Sequence, residues 1–174
     1  MQLPSQETVR EWLNYDAATG VFTWRKKPRG GRRRESGRIA GTTRKNGYIF
    51  IGLGSYRQIG AHRLAWIHTN GPIPDGMEID HKDTNPGNNR LDNLRLATSR
   101  QQKRNKKVQS NNRSGLKGAY YHACRKGKKW RSQIRIGAGK ENLIFLGYYE
   151  SALEAHMAYR AAAIQHFGEF ARVS

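Results

Sequence analysis

Asp80 and His81 stand side by side at the end of a short run, Met77-Glu78-Ile79, and a loop rich in Asn, Asp, Gly and Pro follows them. Asn93 comes twelve residues after His81, and a basic, Gln-rich stretch of helical character runs on to Asn105. These residue types suit phosphodiester hydrolysis. That reaction needs a water deprotonated on one side of phosphorus and charge neutralised on the departing oxygen opposite. A histidine, whose pKa lies near neutrality, can be the base. A hard divalent cation can cover the leaving oxygen while held by few protein ligands and the phosphate itself. Neighbours in a strand point to opposite sides, so Asp80 can serve a metal while His81 serves a water. An Asp-His pair alone is far more often a turn cap beside a surface histidine, so its surroundings decide.

The preceding elements must position this stretch. Ser5 is a candidate N-cap, Glu7 suits a first turn, and Val9, Trp12 and Leu13 fall at i, i+3, i+4, predicting a helix. Asp16 to Gly20 reads as a turn and Val21–Trp24 as a strand. From Arg25 to Lys45 there are ten basic residues and one acid, a run suited to phosphate contact through Arg32, Arg33 and Arg34 or to a solvated loop. Tyr48–Leu53 and Tyr56–Ile59 form a hairpin around Gly54-Ser55. Ala61–His68 reads as a helix closed by Asn70-Gly71. His62 and His68 are six apart, off the i, i+4 spacing of a metal pair.

The chain has 174 residues, 32 Lys+Arg against 13 Asp+Glu, and a formal net charge of +19, so nucleic acid is the first partner to expect. There is no apolar run long enough to cross a bilayer, and no membrane partner is expected. The start, MQLPSQETVREWL, lacks a signal-peptide core, which points to a cytoplasmic setting. One cysteine, Cys124, offers neither a disulfide framework nor a Cys-based zinc site.

After a basic stretch, Lys103–Arg113, a second unit begins. Gly118–His122, Trp130–Ile136 and Asn142–Leu146 read as three strands. Ser151-x-x-Glu154 is a capping box opening a helix that ends at Phe167-Gly168, with Ala155, Ala158, Tyr159, Ala162 and His166 on one face. Alternation in Trp130–Ile136 puts Trp130, Ser132, Ile134 and Ile136 on one side and Arg131, Gln133 and Arg135 on the other. From Arg113 to Lys140 there are nine basic residues and no acid, and such a sheet face can enter a major groove.

The segments HRLA, DHKD, NN and NLRLAT, spread from His62 to Asn105, resemble the HNH endonucleases of phage and intron homing type. The DAATGVFTW, NGYIFIGL and HRLAW segments look like the N-terminal region common in that group. The resemblance implies a strand, an Asn-rich loop and a helix joined in a ββα-metal motif. It makes His81 the general base, Asp80 a metal ligand, and Asn93 the central asparagine that bonds across the motif and orients the histidine. His62 would fix the motif by hydrogen bonding. The third family position, a helix His or Asn about nine residues after the central Asn, falls here on Gln102, with Gln101 beside it and Asn105 a turn on. The metal implied is Mg2+, with Mn2+ as the alternative.

KGAYYHACRKGKKWRSQIRI, LGYY and EAHMAYRAAAIQHFGEFA are similar to the APETALA-two/ethylene-response-factor DNA-binding domain, in the form attached to homing endonucleases. Its groove-facing positions map onto Lys117, Tyr120, His122, Arg131, Gln133, Arg135 and Phe145. Plant members carry arginine or tryptophan at several of these, so base preference does not transfer.

The expected fold is therefore α+β. Residues 1–105 would form an HNH unit with an N-terminal helix and hairpins (ββα-metal core about 76–105), 106–115 a basic linker, and 116–174 a three-stranded antiparallel sheet packed on one helix. The expected function is a homing-type, nicking DNA endonuclease with a single metal, encoded by a phage or prophage. Its partner would be double-stranded DNA, and it would be a monomer with no obligate protein partner. The alternative is a sequence-specific DNA-binding protein with a degenerate, inactive nuclease motif.

Overall fold

In the first turn of the chain Ser5 caps α1 (Gln6–Trp12), its Oγ accepting from the Thr8 N–H at 3.2 Å. The structure, a computed structural model, describes residues 2–25, 36–104, 112–123 and 126–171. It is of mixed α+β type, with four helices and small sheets, and it divides into two compact units, Met1–Gln102 and Lys103–Ser174. The stretch around residue 105, where the sequence suggests a boundary and linker, lies largely outside the described residues.

In the first unit α1 leads directly into β1 (Leu13–Asp16), which pairs antiparallel with β2 (Val21–Trp24). Asp16 shapes the intervening turn by accepting from the Ala18 N–H at 2.9 Å and the Thr19 hydroxyl at 2.8 Å. β3 (Thr42–Thr43), β4 (Ile49–Leu53) and β5 (Tyr56–Gly60) make a second antiparallel sheet, followed at once by α2 (Ala61–Asn70). β6 (Met77–His81) pairs with β7 (Leu94–Thr98), and α3 (Ser99–Arg104) follows. Helices α1 and α2 pack together over a core of Val9, Leu13, Phe22, Ile51, Leu53, Ile59, Leu64 and Ile67, each at most 2% exposed. Burial of such side chains contributes about 1.5–3 kcal/mol each. Ile79 of β6 and Leu94 of β7 join that core, which ties the hairpin carrying Asp80 and His81 to the rest of the unit.

The second unit is a three-stranded antiparallel sheet in the order β10 (Leu143–Tyr149), β9 (Trp130–Arg135), β8 (Ala119–Tyr121), with α4 (Ala152–Phe167) packed on all three strands. Ser151 caps α4 through the Glu154 N–H at 3.2 Å. The buried stripe of α4 is Ala155, His156, Tyr159, Ala162 and Ala163. The stripe expected from sequence differs, for Ala158 is only half-buried and His166 is exposed. His156 replaces them because its ring has an internal partner, Nδ1 lying 2.7 Å from the Lys117 carbonyl.

Candidate active site

Strand register places the chemistry. His81 is the last residue of β6 and sits opposite Leu94, while Asp80 sits opposite Arg95. Both are almost fully buried, Asp80 at 6% and His81 at 5% exposure. A buried carboxylate needs a cation, and Arg95 supplies one: its Nε and Nη2 donate to Asp80 Oδ2 at 3.0 and 2.9 Å.

The His81 ring is held by Asn89. Its Nε2–H donates to Asn89 Oδ1 at 3.2 Å, and the Asn89 amide is turned that way because its Nδ2 donates to the Gly87 carbonyl at 3.4 Å. That bond assigns the proton to Nε2 and leaves Nδ1 with the lone pair a base requires. Burial pulls the His81 pKa below its ordinary value, against the opposing pull of the Asn89 bond and the charges of Asp83 and Asp80. The net direction keeps the imidazole neutral, and so basic, at neutral pH. Two further rings flank it: His62 at 5.2 Å and Tyr48 at 6.0 Å between centroids, with Tyr48 and His62 themselves 5.4 Å apart.

Asn93 spans the loop from another side. Its Nδ2 donates to Asp83 Oδ1 at 3.0 Å and to the Asn88 carbonyl at 2.8 Å, and its Oδ1 accepts from the Asp83 N–H at 3.0 Å. Asn93 thus ties the loop to itself, and the direct partner of the histidine is Asn89. With both its amide groups engaged by Asp83 and Asn88, Asn93 fixes the shape of the loop that carries Asn89. His62 also differs from expectation. Among the described residues its buried Nδ1 has no hydrogen-bond partner, and its described contacts with the motif are ring against ring. Burial, then the charges of His81 and Arg63, push its pKa down to about 3.

On α3 the half-buried Gln102 donates through Nε2 to the carbonyl of Ile79, the residue before Asp80, at 3.2 Å. Gln101 instead turns back on its own helix start, Oε1 accepting from the Thr98 N–H at 2.7 Å and hydroxyl at 2.9 Å. Asn105 lies outside the described residues. Among the described residues no three His, Cys, Asp or Glu side chains converge on one point. The ligands expected from sequence, the Asp80 carboxylate and the Gln102 amide, are both hard oxygens. That set fits a Mg2+-like ion, which keeps most of its shell for water and phosphate, and it fits no closed protein cage.

In the second unit, register collects most of the expected contact residues on one sheet face. Tyr120 and Tyr148 flank Arg131 across the strands, and Phe145 faces Gln133. The Arg131 guanidinium lies 5.6 Å from the Phe145 ring centre, and Tyr120 and Phe145 are about half exposed. Arg135 is exposed and donates to the Gly139 carbonyl at 2.7 Å. His122 is exposed beyond β8, its ring 6.3 Å from Tyr148. Lys117 is half-buried and serves the fold through its carbonyl. Among the described residues Arg131 Nε and Gln133 Oε1 are buried without a hydrogen-bond partner. Tyr148 was not expected there; strand pairing alone brings it beside Arg131. Arg32, Arg33 and Arg34 lie outside the described residues.

Residues 60–104, from the end of β5 through α3, match the HNH endonuclease family. Protein 3.8 of Escherichia phage T7 is 40% identical over 87 residues, which are 50% of this chain and 70% of the phage protein. A solved structure, of the HNH homing endonuclease I-HmuI, is 28% identical with a TM-score of 0.42, covering 57% of this chain and 54% of that one. The chain thus spans about half the length of that solved protein. The chain belongs to the HNH endonuclease family.

Proposed function

We propose that this chain is a DNA endonuclease in which His81 is the general base. The hydrogen bond from His81 Nε2–H to Asn89 carries the reading, since it presents a bare, neutral Nδ1 from a rigid strand end. In the reaction Nδ1 takes a proton from the attacking water, and Asn89 Oδ1 stabilises the imidazolium that results. Asp80 and Gln102 would hold a divalent cation, Mg2+ by the hardness of their oxygens, with Gln102 preferred because Gln101 is committed to Thr98. Such an ion supplies charge neutralisation on the phosphate and the departing oxygen. Asn93 keeps loop 82–93 in the shape that carries Asn89.

Residues 1–105 form the catalytic part in this reading, 106–115 a linker, and 116–174 a DNA-binding module of APETALA-two type. Arg131, Gln133, Arg135, Tyr120, His122, Phe145 and Lys117 make up its contact surface, and Arg32, Arg33 and Arg34 of the basic run are separate DNA contacts. One catalytic site serves one strand, so a monomer nicks duplex DNA. A second reading, DNA binding without cleavage, draws on the Arg95–Asp80 pair, which already neutralises the carboxylate a metal would need.

One assay separates the two. Supercoiled plasmid incubated with the full chain and Mg2+ should become open circles, EDTA should stop it, and His81→Ala should nick at least about a hundredfold more slowly while still retarding DNA in a gel. Nicking that survives EDTA, or that His81→Ala leaves intact, rejects this mechanism. Binding without any nicking establishes the second reading.

A further inference from the structure

The turn of the β1–β2 hairpin, Asp16–Gly20, lies more than sixty residues ahead of His81 in sequence, yet it is seated on the segment that orients the histidine. Three contacts make the seat. The Tyr15 hydroxyl donates to the Asn89 carbonyl at 2.7 Å. The Leu91 N–H donates to the Ala17 carbonyl at 3.1 Å. Gly20, at φ +75°, meets the backbone so closely that a Cβ would stand 2.5 Å from Arg90 N and from the Asn89 carbonyl carbon. Residues 89–91 are thus gripped by hydrogen bonds from two sides and by van der Waals contact from a third.

The grip is rigid at its own end. Tyr15 stacks on Phe22 at 4.7 Å and meets His68 edge-on at 5.6 Å, so the phenol has little rotational freedom. Burial, with the charges of Asp16 and Asp92, pushes its pKa up to about 12, so it remains a donor across the working range. Asn89 is 1% exposed and has no room to find another pose. The Asn89 backbone fixed by Tyr15 and the Asn89 amide that accepts from His81 belong to one residue, so displacing the first displaces the second.

From these contacts we infer that Tyr15 is a positioning residue for the reaction: through the Asn89 backbone it holds the amide that selects the His81 tautomer, and the Asp16–Gly20 turn is part of the catalytic scaffold. The inference builds on His81 as the base, but its first test does not depend on cleavage. The full chain, labelled with 15N in histidine, is examined by long-range 1H–15N correlation at pH 8. Wild type should show His81 as the Nε2–H tautomer. Asn89→Ala should lose that preference, and Tyr15→Phe, which removes only the hydroxyl, should shift His81 towards a mixture of tautomers. A His81 signature unchanged in Tyr15→Phe overturns the inference, whatever the activity.

Kinetics give the second test. If wild type nicks plasmid, Tyr15→Phe should lower kcat about tenfold, with KM close to wild type and the thermal midpoint lowered only by the few degrees that one buried hydrogen bond accounts for. Equal loss in KM, or a collapse of the midpoint, would show a merely structural role and would also overturn the inference. Failure of wild type to nick would instead reject the proposed function, and the tautomer measurement would still decide this one.

Discussion

His62 shows how one side chain makes this fold sensitive to acid. Its pKa is about 3 in the folded chain against an ordinary 6.5, because burial beside His81 and Arg63 disfavours the imidazolium. Between those two values the unfolded chain binds a proton that the folded chain cannot. Stability from this group is therefore complete above about pH 6.5 and is lost as pH falls towards 3. At pH 5 the loss amounts to about 2 kcal/mol. Urea melts at pH 7.5 and pH 5 should show that difference in wild type, with His81 adding in the same direction, and His62→Phe should shrink it. An equal pH dependence in the variant would refute the account. At this scale the sequence was half legible. Asp80 and His81 declare themselves by type and by the strand pattern around them. Asn89 does not, because it is one of four asparagines between His81 and Leu94, and only the folded loop says which one meets the imidazole.

At the level of elements most of the chain could be read beforehand. Ser5 and Ser151 cap the helices expected of them, and the hairpins around Gly20 and Gly54 form where turn residues interrupt alternation. What could not be read was set by tertiary partners: Tyr148 beside Arg131, and His156 in place of His166 on the buried face of α4. The chain leading into β8 meets α4 closely at Gly118, whose φ is +79° and where a Cβ would clash with the Tyr159 ring. Gly118→Ala adds both backbone strain and a clash with a buried ring, so it should destabilise the second unit by more than about 2 kcal/mol. Ser151→Ala removes only a cap and should cost about 1 kcal/mol. Chemical denaturation of the full chain, followed by fluorescence, orders the two; a larger effect from Ser151→Ala would contradict this packing. Neither change should alter the His81 tautomer, which belongs to the other unit.

Across the whole molecule the net charge of +19 sets the terms of the proposed DNA binding. Phosphate neutralisation releases counterions, so the logarithm of affinity should fall linearly with the logarithm of salt, by about 0.9 per phosphate contact. If the exposed face of the second unit carries part of that load, Arg131→Ala with Arg135→Ala should weaken binding and flatten the slope by about 2. Titrations from low to moderate salt measure both, and an unchanged slope would remove that face from phosphate contact. The seating of the Asp16–Gly20 turn on residues 89–91 has a consequence for inheritance. A recombination that carried only residues 60–104 into another chain would move the proposed base, the loop and the helix but leave behind the hairpin that grips the loop. Exchange among such genes should therefore respect a seam upstream of Leu13, and a nuclease built by grafting should take its donor fragment from there.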